Sequence, residues 1–95
     1  MRMKRDQIEF LKKTIEAKLP DARVFVFGSR AFDNRKGGDI DILVLAGRQL
    51  SGQEKRSIKI AFYKKFGEQK MDIVSFRNDA SSTFKDLAMQ EAVRV

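Results

Sequence analysis

Gly38-Asp39-Ile40-Asp41-Ile42-Leu43-Val44 sets two carboxylates, two positions apart, at the head of a run of aliphatic and β-branched residues. The stretch from Asp39 to Leu45 is too short for a stable helix and rich in strand formers, so it reads as a strand. Residues i and i+2 of a strand face one way, and Asp39 and Asp41 can therefore hold one cation between them. A carboxylate among apolar residues is costly unless it is paired, hydrogen-bonded or bound to metal. A third acid sits in a second apolar run, Met71-Asp72-Ile73-Val74. If that strand lies alongside the first, Asp72 joins the pair in an oxygen-rich cluster suited to Mg²⁺ held against nucleotide phosphates. Two plainer readings stay open: Asp39 as a loop-to-strand residue, and Asp72 as a solvated residue of an edge strand.

Working outward from this stretch, Arg23-Val24-Phe25-Val26-Phe27 reads as a buried strand ending at Gly28. Ser29-Arg30-Ala31-Phe32 reads as a short helix with Ser29 as its cap, followed by the polar loop Asp33-Asn34-Arg35-Lys36-Gly37-Gly38. A Gly-Ser turn leaving a strand lets backbone N–H groups and a hydroxyl cradle phosphate oxygens where the missing Cβ permits close approach. On its own Gly28-Ser29 reads equally well as a structural turn. The downstream acids favour the cradle, because a phosphate site beside a metal cluster makes one nucleotide site. Arg30 is either a phosphate contact or an exposed surface cation.

Further out, Ile8, Leu11, Ile15 and Leu19 recur at helical spacing, giving an amphipathic helix over 5–18 stopped near Pro20. Gly47 to Gly52 reads as a loop. Ile58, Ala61, Phe62, Lys65 and Phe66 form one face of a helix ending near Gly67, with Tyr63 at its boundary. Lys70 to Phe76 is the third strand. Asn78-Asp79-Ala80-Ser81 offers caps for a last helix with Phe84, Leu87, Ala88 and Met89 inward. Helices alternating with short apolar strands predict an α/β fold, a small mixed β-sheet of three or more strands packed against about four helices. The 95 residues make one domain, 1–95, with one modest core.

Composition narrows the chemistry. With no Cys and no His, thiolate and imidazole metal sites, disulfides and Ser-His or Cys-His catalysis are excluded, which leaves carboxylates as the catalytic groups. The balance of 20 Lys+Arg against 13 Asp+Glu, a net +7, favours nucleic acid, nucleotide triphosphate or an acidic protein without choosing among them. Lys12-Lys13, Lys55-Arg56 and Lys64-Lys65 read as solvated helix faces rather than a nucleic-acid grip. The stretch has no bilayer-spanning run and no signal-peptide core, so a cytoplasmic protein without membrane attachment is expected.

The run Phe27-Gly28-Ser29, a spacer, Asp39-x-Asp41 and a later strand-borne Asp72 resembles the minimal nucleotidyltransferases of the DNA-polymerase-beta-like superfamily, the MntA-type antitoxins. The resemblance spans most of the chain and implies the polymerase-beta-like nucleotidyltransferase fold. It implies that Asp39, Asp41 and Asp72 are catalytic and bind Mg²⁺, with Mn²⁺ as an alternative, and that Gly28, Ser29 and Arg30 hold the phosphates of an ATP donor. It further implies transfer of AMP to a hydroxyl, foremost a tyrosine of a helical HEPN-domain toxin partner that the chain neutralises. Two other classes stay open: a non-catalytic module that neutralises the toxin by contact, and nucleotidyl transfer to a small alcohol. Direct nucleic-acid binding is disfavoured as the primary role, and a homo-oligomer is open.

Overall fold

The computed structural model describes residues 4–27 and 40–95. Helix α1 (Arg5–Lys18) opens where the Lys4 N–H donates to the Gln7 side-chain oxygen at 3.1 Å and carries Asp6 in its first turn and Lys18 in its last, matching the helix dipole. It stops before Pro20, with the Leu19 N–H donating to the Ile15 carbonyl at 2.8 Å. Strand β1 (Arg23–Phe27) pairs antiparallel with β2 (Ile40–Ala46), and β2 pairs parallel with β3 (Met71–Arg77). A parallel pair needs a crossover, which helix α2 (Gly52–Phe66) supplies. Helix α3 (Thr83–Glu91) leads into the two-residue strand β4 (Val93–Arg94), antiparallel to β1, so the sheet order is β3-β2-β1-β4.

Strand alternation builds a layer on each face of this mixed sheet. Ile40, Ile42, Val44, Val24, Val26, Met71 and Ile73 pack beneath α1 and α2, against Leu11, Ile15, Ile58 and Phe62. The opposite face carries Phe25, Leu43 and Leu45 under Ala88 of α3, with Phe27, Val74, Phe76, Met89 and Ala92 at its margin. Phe62 is fully buried between the helices and the sheet, 4.8 Å from Phe66 and 6.3 Å from Phe10 between ring centroids. Tyr63 is half-buried at the boundary, as its spacing predicts.

Two details, the cap of α3 and the exposure of Leu87, depart from the sequence reading. Among the described residues there are three helices; the short helix expected at 29–32 lies outside them. The cap of α3 is Ser82, whose hydroxyl accepts from the Lys85 N–H at 3.3 Å. The expected caps at 78–81 are used otherwise, in a turn where the Ala80 N–H donates to the Arg77 carbonyl and the Lys85 ammonium donates to the carbonyls of Asn78 and Ala80. Leu87, expected inward, is 59 % exposed. The short α3 meets the sheet through Ala88 and Met89 instead, and the expectation for Phe84 lies outside the described side chains. Strand β4 carries no sequence signal long enough to anticipate.

The β2–α2 connection is held by buried and exposed polar contacts. Ser75 is the buried polar residue on β3, its hydroxyl accepting from the Leu50 N–H at 2.8 Å. Ser75→Ala leaves that buried N–H without its partner and is expected to cost about 1–3 kcal/mol, read as a lower urea midpoint at unchanged slope. At the start of α2, the Ser51 hydroxyl accepts from the Glu54 N–H and the Glu54 carboxylate accepts from the Ser51 N–H, a reciprocal cap. Arg48 forks onto the same carboxylate at 2.8 and 2.9 Å and reaches back to the Lys18 carbonyl.

The Arg48 hydrogen bonds first, and then the Ser51 N–H, hold the Glu54 carboxyl down from its ordinary 4.5 to about 2. A depressed carboxyl adds stability that is fully present above its unfolded value and fades as pH falls toward its folded one. Between pH 4.5 and about 2 the native chain is therefore expected to lose thermal stability more steeply than Glu54→Gln. The pair is solvent-facing, so added salt should shrink the difference; parallel profiles for the two proteins would refute it.

Candidate active site on one face of the sheet

Ile40 and Ile42 flank Asp41, and Met71 and Ile73 flank Asp72; all four hydrophobics are buried beneath α1 and α2. Strand alternation then turns both carboxylates to the other face, the one α3 covers further along at Leu43 and Leu45. The parallel register sets Asp41 directly opposite Asp72, and the antiparallel register sets Phe27 opposite Asp41 on its other flank. A row of Phe27, Asp41 and Asp72 thus crosses three adjacent strands. Asp41 is half-buried, whereas Asp72 is exposed on the edge strand β3. The edge-strand reading of Asp72 describes its solvation, and of the two described acids it is Asp41 that bears a burial cost.

Neighbouring strands lie about 4.8 Å apart. Two anionic groups at that spacing repel one another, and a hard divalent cation between or beside them turns repulsion into attraction. The donor set is all oxygen and fully anionic, a chemical fit for Mg²⁺ or Mn²⁺. Among the described residues no group of three or more His, Cys, Asp or Glu is placed to hold a metal. Asp39, the third acid of the expected cluster, lies outside the described residues, as do Gly28, Ser29 and Arg30. The chain leaves β1 at Phe27 and re-enters the sheet at Ile40, and both residues stand at the end of the sheet that bears the acids.

The position of Phe27 beside Asp41 could not be read from local sequence, because the register between β1 and β2 depends on how the chain between them returns. On the opposite side of the sheet, Lys13, Arg56, Lys64 and Lys65 are exposed on the outer faces of α1 and α2. A shallow groove on α2, lined by Gln53, Arg56, Ser57 and Ile60, contains no carboxylate. Acids also share a face on α1, where Glu9 and Glu16 line one shallow groove with Lys12 and Lys13, and Asp6 and Glu9 line another with Lys13 and Lys65, so each set there is neutralised by lysines.

A family model described as a nucleotidyltransferase domain matches residues 8–95. The chain belongs to that family. No curated protein matches this nucleotidyltransferase domain. Solved structures share its fold at low identity. A chain of a toxin–antitoxin with AMP-PNP superposes with a TM-score of 0.71 at 19% identity, over 90% of this chain and 69% of that one. A structure of the tri-AMPylated Shewanella oneidensis HEPN toxin in complex with MNT antitoxin gives 0.61 at 21%, over 93% and 70%. The toxin–antitoxin MntA–HepT gives 0.68 at 17%, over 96% and 70%. The four-stranded mixed sheet of this nucleotidyltransferase domain, with its flanking helices, is thus the polymerase-beta-like nucleotidyltransferase fold.

Proposed function

We propose that this chain, as a single domain over 1–95, transfers AMP from ATP to a hydroxyl in the cytoplasm, and that the acceptor is a tyrosine of a helical HEPN-type toxin which it neutralises. The observation that carries this reading is the in-register pairing of Asp41 with Asp72 on one face of the sheet. Support also comes from the family match and from relatives of the same fold whose structures contain AMP-PNP or an AMPylated HEPN toxin.

Asp39, Asp41 and Asp72 are the residues that would hold Mg²⁺, or Mn²⁺ in its place. The ion, when bound, supplies charge neutralisation for the triphosphate and lowers the pKa of a nearby hydroxyl. Gly28 and Ser29 steady phosphate oxygens through backbone N–H groups and a hydroxyl, and Arg30 adds a cation. Asp72, on the solvent-facing edge strand, has the access to meet a macromolecular acceptor and to draw its proton. The acceptor oxygen then bonds to the α-phosphorus as the bond to pyrophosphate breaks, leaving AMP on the acceptor.

Intact-mass measurement of a HEPN-type partner mixed with this chain, with and without ATP and Mg²⁺, tests the reading. The expected result is a gain of one or more AMP masses on the partner that depends on both additions. A partner that binds stably yet keeps its mass would overturn transfer in favour of neutralisation by contact.

A further inference from the structure

We infer that Phe27 is a positioning residue for the cation held by Asp41 and Asp72, an inference that rests on the metal-dependent reading above. Register places its side chain on the same face as Asp41 and directly across from it, on the flank away from Asp72. Cross-strand Cβ atoms of this kind are about 4.5–5.5 Å apart, close enough for an aromatic ring to wall one side of a carboxylate. The ring is half-buried and packed against the Phe25, Leu43 and Leu45 cluster, so it is itself held in place.

This wall accounts for the unequal exposure of the two acids. Asp41, between β1 and β3, is half-buried, while Asp72 is exposed on β3, the edge strand among the described residues. Removing water from one flank of Asp41 lowers the local polarity and strengthens its attraction for a dication, while its other flank faces Asp72. The apolar shell around a metal site controls its solvent access and dielectric in this way, and the roughly 10–100-fold losses known for hydrogen-bonded outer-shell partners set the upper scale for its effect on metal affinity. Asp41 is then the tighter ligand and Asp72 the one free to exchange between ion and acceptor.

Mn²⁺ binding to the full chain, followed by electron paramagnetic resonance without nucleotide, separates this role from packing. Phe27→Ala is expected to weaken Mn²⁺ on the order of tenfold, and Phe27→Leu, which keeps an apolar but shorter wall, by less. Phe76→Ala is the control: Phe76 belongs to the same apolar layer at the far end of the acid-bearing face, so its loss should lower the melting temperature and leave Mn²⁺ affinity unchanged. Phe27→Leu binding as tightly as the native chain, or Phe76→Ala weakening Mn²⁺ as much as Phe27→Ala, would overturn the inference. Asp41→Asn marks the separate failure: if it binds Mn²⁺ as tightly as the native chain, the metal site itself is wrong, whatever Phe27 does.

Discussion

Asp41→Asn is expected to lower ATP-dependent AMP transfer by about 10³-fold, the scale reached when one preorganised electrostatic group is removed from a reacting centre. The fold should survive the change. Asn has the shape of Asp, and the packing at this point of β2 is made by Ile40 and Ile42, which are buried on the opposite face. Asp72→Asn is expected to act in the same direction, with even less effect on stability because Asp72 is exposed. The measurement is single-turnover transfer from labelled ATP to the partner, beside a thermal melt of each variant. Transfer that persists at the native rate in one of the variants would remove that carboxylate from the mechanism.

Phe62→Ala should cost about 3–5 kcal/mol, the range for emptying a buried aromatic site. Phe62 is 0% exposed, and its ring touches a cluster of Phe10, Tyr63 and Phe66 that joins α1 to α2 above the sheet. Total stability of small proteins is only about 5–15 kcal/mol, so the loss is a large share of it. Urea unfolding followed by circular dichroism should show a midpoint far below the native one. Ile60→Ala on the same helix, where the side chain is 45% exposed, should change stability by no more than about 0.5 kcal/mol. Equal losses at the two positions would mean that the core does not run through Phe62.

Local signals were legible where one short segment carries the whole cause. The helix over 5–18 follows from apolar spacing and the Pro20 stop, and Arg5–Lys18 is what forms. Gly67 was placed at the end of α2, and it adopts a positive φ of 95° there while its N–H donates to the Tyr63 carbonyl at 2.8 Å. Leu87 went astray because helical periodicity names a face without saying how much of that face a short helix at the margin of a sheet can cover. Composition does not single out Ser82 as the cap, because the neighbouring Asn, Asp and Ser are equally good candidates and the choice depends on where the turn after β3 ends.

By itself the sequence determined that Asp41 lies on the side of its strand opposite Ile40 and Ile42, and that Asp72 lies opposite Met71 and Ile73, since a strand repeats every two residues. Only the tertiary structure decided that these strands are neighbours, parallel, and in the register that pairs Asp41 with Asp72. The reason is long-range burial. Ile40, Ile42, Met71 and Ile73 must all lie beneath α1 and α2, and a slip of one residue would send one carboxylate into that core and its flanking hydrophobics into water.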